Sequence, residues 1–211
     1  MSNITKATES AVVTTPVLEL PKYFVGEPKT YRYDGKSGYF KLYETPLKQQ
    51  LKFQPVAWRF YEDDLFQMGR KLWAEIFFVD DANCLSVIMF HGYNVENFRK
   101  TLKPYRYDDL TYADLTYTVE AVKKNGEKGA YWQPIFKAEK ATKEQAAYAK
   151  FVAEKLHIYN AETARGTGEL IEMANMKFPE NTSLPQIEAG DEGYDESPAE
   201  TGEVNKNDLP F

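Results

Sequence analysis

The sequence predicts a mainly β fold with helices, of the α+β class. Short runs of Tyr, Phe, Trp, Val and Ile recur between residues 29 and 139, and Gly, Asp and Asn turns separate them. Helical periodicity is confined to two segments further along. Aromatic side chains make up 15% of the chain, with 15 Tyr and 3 Trp, a composition suited to pleated, half-buried strands.

Taken in order, residues 1–20 are rich in Ser, Thr, Ala and Val and are expected to form a flexible N-terminus. KTYRYDGKSGYFKLYE (29–44) places two aromatic runs around Asp34-Gly35-Lys36-Ser37-Gly38, the pattern of a hairpin with a glycine-containing loop. LKFQPVAWRFYE (51–62) is a further strand, in which Pro55 predicts a late start or an edge position. KLWAEIFFVDDANCLSVIMFHG (71–92) holds two apolar runs about Asp80-Asp81-Ala82-Asn83 and predicts a second hairpin. In NVENFRKTLK (94–103), Asn94 can act as an N-cap, and Val95, Phe98 and Leu102 share one helical face. LTYTVEAVKK and GAYWQPIFKAEK flank Asn125-Gly126-Glu127-Lys128-Gly129, a third hairpin. TKEQAAYAKFVAEKLHIY (142–159) predicts an amphipathic helix. Thr142 and Gln145 form a capping box there, with Tyr148, Phe151, Val152, Lys155 and Tyr159 as its stripe.

Strands near 53–61, 71–80 and 84–90, a helix at 94–103 and strands near 115–123 and 131–139 follow the order of the OB-fold, a five-stranded Greek-key barrel. The expected architecture is that barrel with an added N-terminal hairpin, a C-terminal helix and a disordered acidic tail. Residues 21–180 make one domain. Residues 181–211 hold eight acids and one base, a net of −7, whereas the whole chain is −6, so residues 1–180 carry +1. Rich in Gly, Pro, Ser, Thr and Asn, the tail has too little apolar surface to offset its ordering entropy. Acidic tails of this kind are often interaction segments.

The one cysteine, Cys84, excludes an internal disulfide and implies a reducing compartment. No run of about 18 apolar residues occurs, and the first 20 residues lack the pattern of a secretory signal. A cytoplasmic protein is expected. Catalysis is not: His91, His157 and Cys84 lack metal-ligand spacing, phosphate-binding glycine loops are absent, and Gly166-Thr167-Gly168 reads as a helix stop. The pairs Asp63-Asp64, Asp80-Asp81 and Asp108-Asp109 fall in expected turns. No cofactor and no metal are implied.

Aromatic and basic residues interleave at five places. These are Tyr31-Arg32-Tyr33 facing Lys41 and Tyr43 with Lys29 and Lys36 nearby, Trp58-Arg59, Arg70-Lys71 with Trp73, Tyr105-Arg106-Tyr107, and Tyr131-Trp132 with Lys137. Rings that stack on bases beside cations that neutralise phosphates are what single-stranded nucleic acid needs. Period-2 alternation in 71–79 assigns Leu72, Ala74, Ile76 and Phe78 to the core. It leaves Lys71, Trp73, Glu75, Phe77 and Val79 on a half-exposed binding face. In 131–137, Tyr131, Gln133, Ile135 and Lys137 form the wetter face.

The chain ends in Asp208-Leu209-Pro210-Phe211 after the acidic segment. This end resembles the tail of bacterial single-stranded DNA-binding proteins, which finish in an acidic cluster, Ile or Leu, Pro and Phe. Phage replication single-strand binders likewise carry acidic tails with a terminal aromatic. This chain departs from the pattern at Asn205, Lys206 and Asn207. The resemblance implies a divergent bacterial or phage-encoded protein that binds and protects single-stranded DNA during replication, recombination or repair. It implies a tip that docks replication, recombination or repair proteins, with Phe211 as the apolar anchor. It also implies an acidic tail that competes with DNA for the basic groove. Two rivals remain open: an RNA-binding OB or cold-shock-like module, and a phage structural or assembly protein whose tail is a solubility device. No membrane partner is expected, and homo-oligomerisation is left open.

Overall fold

The computed structural model describes residues 18–105, 107–126, 129–156, 158 and 170–173. The fold is mainly β with two α-helices. In chain order the strands are β1 (Lys29–Tyr33), β2 (Phe40–Leu42), β3 (Thr45–Pro46), β4 (Gln50–Phe53), β5 (Pro55–Asp63), β6 (Lys71–Val79) and β7 (Leu85–His91). Helix α1 (Tyr93–Lys100) follows, then β8 (Leu115–Gly126), β9 (Gly129–Lys140), α2 (Lys143–Lys155) and β10 (Leu170–Met173). One sheet has seven strands in the order β10-β5-β6-β7-β1-β2-β3, and the other has three in the order β4-β8-β9.

Both expected hairpins of the central chain are present. β6 and β7 pair antiparallel about the Asp80–Asn83 turn, and β8 and β9 pair from Leu115↔Lys140 to Gly126↔Gly129. At the first turn Asp80 accepts the amides of Ala82 and Cys84, each at 3.0 Å, as well as the Lys29 ammonium and the Tyr31 hydroxyl. Burial raises the Asp80 pKa, but Lys29, the Cys84 amide and Tyr31 outweigh it and hold the carboxyl below its ordinary value. That acid is turn chemistry, as its position suggests.

Pro55 is the first residue of β5, the late start expected of it, and the strand does not sit at an edge. The 51–62 run breaks at Gln54, so that β4 pairs with β8 in one sheet while β5 pairs with β6 in the other. The register shift between Pro55 and Ala57 marks the crossing. A residue without a backbone N–H fits where a ladder must be interrupted.

The N-terminal hairpin is likewise not an appendage. β1 runs parallel to β7, with Tyr31 opposite Ile88, and β2 pairs with its other edge. The seat beside β7 is thereby taken, β7 and β9 are not ladder neighbours, and the strands do not close into a five-membered ring.

Two apolar clusters bracket the seven-stranded sheet. The larger lies between the sheets and includes Trp58, Phe78, Phe98 and Tyr117. The smaller lies on the other face, where Val56, Ala57, Phe77 and Val87 meet α2. The capping box of α2 is present as expected: the Gln145 amide donates to Thr142 Oγ1 at 3.2 Å, and the Thr142 amide to Gln145 Oε1 at 2.9 Å. Its buried stripe, however, is Ala146, Ala149, Val152 and Ala153, while Tyr148 and Phe151 are half-buried and Lys155 is exposed. Small side chains let the helix lie close on the sheet. Tyr159 lies outside the described residues. Helix α1 starts after Gly92, which takes φ 55°, rather than at an Asn94 cap. Its apolar face is as expected, with Val95, Phe98 and Leu102 in the main core.

Candidate nucleic-acid interface

Where β6 was expected to show a half-exposed face, the structure buries it. Trp73, Glu75 and Phe77 are 3%, 5% and 2% exposed. Phe77 sits in the cluster beneath α2. Glu75 pairs with Arg59 across the strands and accepts the Tyr61 hydroxyl at 3.1 Å, while Arg59 lies over the Tyr61 ring at 5.5 Å. Trp73 donates its indole N–H to the Asp63 carbonyl at 3.0 Å and packs on His91 at 4.9 Å. Burial, with the nearby Lys71 charge, holds His91 below the ordinary imidazole pKa. A polar layer that satisfies itself in this way can be buried, and period-2 reading takes it for a wet face.

Other expected binders are also internal. Trp58 is 1% exposed, at the centre of the main core, and its neighbour Arg59 is 3% exposed. Tyr31 belongs to the same core, and Tyr33 packs on Phe40 and Phe90. Tyr105 is half-buried and donates to the Ala138 carbonyl at 2.7 Å. Lys71 is half-buried. The buried rings among them, Trp58 and Tyr31, are structural, because a ring without exposed faces cannot stack on a base.

At the surface are Arg32, Tyr43, Arg70, Tyr107 and Lys137. Several are already paired: Arg32 with Glu44 at 3.2 Å, Arg70 with Glu62 at 3.1 Å and Lys137 with Glu120 at 2.7 Å. Lys41 is half-buried and meets Asp34 at 2.9 Å. Tyr131 is half-buried. Arg106 and the four tip residues Asp208, Leu209, Pro210 and Phe211 lie outside the described residues, as do residues 1–17 and the whole acidic segment 181–211.

Aromatic and basic residues that remain outside the core stand where the ends of two hairpins meet. On the β1–β2 side, Arg32 and Lys41 are cross-strand partners, and the connecting loop carries Lys36 and Tyr39, both exposed. On the β8–β9 side, Lys123 is opposite Trp132 and Lys124 opposite Tyr131 near the hairpin tip. The two sides touch, since the Trp132 amide donates to the Gly35 carbonyl at 2.9 Å. Among the described residues Lys36, Lys123 and Lys124 are exposed and make no ion pair. Lys123 and Lys124 were missed from sequence. Their signal is a pair of adjacent bases running into Asn125-Gly126, where a strand pattern gives way to an exposed tip.

Asp34 organises the connecting loop. It accepts the Lys36 amide at 2.9 Å and the Ser37 hydroxyl at 2.8 Å, besides the Lys41 ammonium. Burial raises its pKa, but Lys41, Ser37 and the loop amides outweigh that and bring it to about 2. The arrangement can hold anionic, flat-faced ligands: cations free for phosphates stand beside the exposed Tyr39 and the half-buried Tyr131 and Trp132. No described cluster of His, Cys, Asp and Glu could hold a metal ion, and no described helix is long and apolar enough to cross a membrane.

Neither a family model, a curated protein nor a solved structure matches this chain.

Proposed function

We propose that this protein binds single-stranded DNA without strong sequence preference, during replication, recombination or repair, and has no catalytic activity of its own. The observation that carries the reading is the placing of unpaired lysines beside rings where the two hairpins meet: Lys36 with Tyr39 on the loop, Lys123 beside Trp132 on one face of the β8–β9 hairpin, and Lys124 beside Tyr131 on the other. Phosphates meet the lysines while bases stack on accessible ring faces.

The topology supports an OB-like reading of the fold. The β4–β5 run serves both sheets, β5-β6-β7 form a meander, and α1 lies between β7 and the β8–β9 hairpin. The β1–β2 hairpin takes the edge of β7 that β9 would hold in that barrel. In that fold the loop joining the last two strands contributes to the binding surface, and here it ends the Lys123–Lys124 hairpin. Partner enzymes dock on Asp208, Leu209, Pro210 and Phe211, in line with the resemblance of the tail.

The test is titration of labelled oligo(dT) of about 20–30 nucleotides, matched duplex and matched RNA over a range of salt. Preference for single-stranded DNA, weakening as salt rises, is expected. Equal affinity for duplex refutes the single-strand reading, preference for RNA transfers the site to the RNA-binding rival, and no binding leaves a structural or assembly role.

A further inference from the structure

The β1–β2 and β8–β9 hairpins belong to different sheets, so no ladder fixes one against the other. Their bases share the main core, but near the hairpin ends their described meeting point is small. Besides the single amide bond from Trp132 to Gly35, the Trp132 indole lies on Gly38. A Cβ at Gly38 would come 2.5, 2.7 and 2.8 Å from Cδ2, Cγ and Cε3 of that ring. Gly38 has φ +75°, in the left-handed region that favours glycine. The ring thus occupies the space any other residue would fill. Gly38 is buried although its neighbours Lys36 and Tyr39 are exposed, which shows the ring seated over it.

Beyond this contact the end of the β8–β9 hairpin is solvent-exposed from Val122 to Gly126. Such a two-stranded extension has little to hold its direction. Lys123 and Lys124 therefore depend on the Trp132 contact for their position relative to Lys36.

We propose that Trp132 seated on Gly38 is a positioning latch, joining the Lys36 loop and the Lys123 face of the β8–β9 hairpin, which Trp132 shares, into one continuous site for a single-stranded polynucleotide backbone. The inference rests on the function proposed above. With the latch closed, one strand meets cations on both sides of the seam without ordering either loop on binding, which removes an entropic cost. With it open, a strand engages one side at a time.

The experiment is Gly38→Ala, with Trp132→Leu as a second variant, each in the full chain. Folding is followed by circular dichroism, and oligo(dT) affinity is measured across salt. Gly38→Ala keeps the ring but removes its seat. Affinity should fall on the order of tenfold as the ordering cost returns. The slope of log K against log salt should become shallower by about 0.7 for each phosphate that the protein no longer neutralises. In the wild type, the losses from Lys36→Gln and Lys123→Gln should be non-additive; in Gly38→Ala that coupling should vanish. A folded Gly38→Ala protein with wild-type slope and coupling overturns the latch. Where Gly38→Ala does not fold, Trp132→Leu decides. Loss of stacking alone lowers affinity by the same factor at every salt concentration and leaves the slope intact, and that result overturns the latch as well. A wild type that binds no oligo(dT) refutes the proposed function itself, and the latch with it.

Discussion

Trp58→Ala separates a core ring from a stacking ring. Trp58 is 1% exposed and meets Tyr112, Phe98 and Tyr117 edge-on, at centroid distances of 4.2, 5.5 and 6.5 Å. Truncation to Ala returns about 150 Å² of apolar burial, which at about 25 cal/mol per Å² is about 4 kcal/mol. Removing the edge-to-face ring pairs adds about 0.5–1.5 kcal/mol each, and partial collapse of the cavity offsets some of this. The expected cost is therefore about 3–5 kcal/mol, in the range of buried Trp truncations. With a urea m-value of about 2 kcal/mol per molar, the unfolding midpoint drops by about 2 M. The assay is urea unfolding followed by far-ultraviolet circular dichroism, paired with oligo(dT) titration in buffer without denaturant. Stability should fall while the affinity of the folded fraction stays at the wild-type value. An unchanged midpoint together with weaker binding would mean that the indole meets the bases, and the core assignment would be wrong.

Three further outcomes are expected. Lys123→Gln with Lys124→Gln should reduce the salt slope of oligo(dT) binding by up to about 1.4, from about 0.7 per phosphate; an unchanged slope would place the strand elsewhere. Asp34→Asn should destabilise the protein by about 1–2 kcal/mol at neutral pH. Because the folded-state pKa of Asp34 is depressed from 3.8 to about 2, its contribution is present in full above the unfolded value and fades as pH falls through that window. Urea unfolding of variant and wild type should therefore converge toward pH 2, and a difference that persists there would count against this account. Deleting residues 203–211 should leave oligo(dT) affinity unchanged or raise it, while Phe211→Ala should abolish most capture of replication and repair enzymes without altering affinity; capture that survives both changes would reduce the tail's resemblance to coincidence.

Local signals in the sequence were read correctly where one neighbouring element decides the outcome. The Asp80–Asn83 and Asn125–Gly129 turns, the Thr142–Gln145 capping box and the inward face of Ala74, Ile76 and Phe78 are of this kind. What escaped depends on partners distant in sequence. Nothing in Lys29–Tyr33 says that it lies parallel to Ser86–Ile88, and nothing in Trp73 or Phe77 says that their side of the sheet is buried. The alternation of charge and ring in KLWAEIFFV looks amphipathic, yet the charge of Glu75 is met inside by Arg59, also on a strand. The aromatic stripe of α2 was more visible than its alanine stripe, although the alanines make the close contact. For the interface, the combination of cations and rings was legible as chemistry but not as place. Most rings went inward, and three of the exposed lysines without an ion pair stand where two hairpins meet.

The parallel pairing of β1 with β7 also dictates the order in which the chain can assemble. Tyr31 pairs early with Leu42 of the neighbouring β2 but meets Ile88 only across most of the chain, as Leu51 meets Val119, so these strands complete their pairing late. The β6–β7 and β8–β9 hairpins close short loops and can form at once, whereas the contacts that unite the molecule wait on long loop closures, the step that slows folding of β-rich chains. Until β7 is in place, the aromatic run of β1 is an unpaired edge, open to the β7 of another chain. Refolding at high protein concentration should thus favour strand-exchanged dimers, and the yield of monomer should rise on dilution.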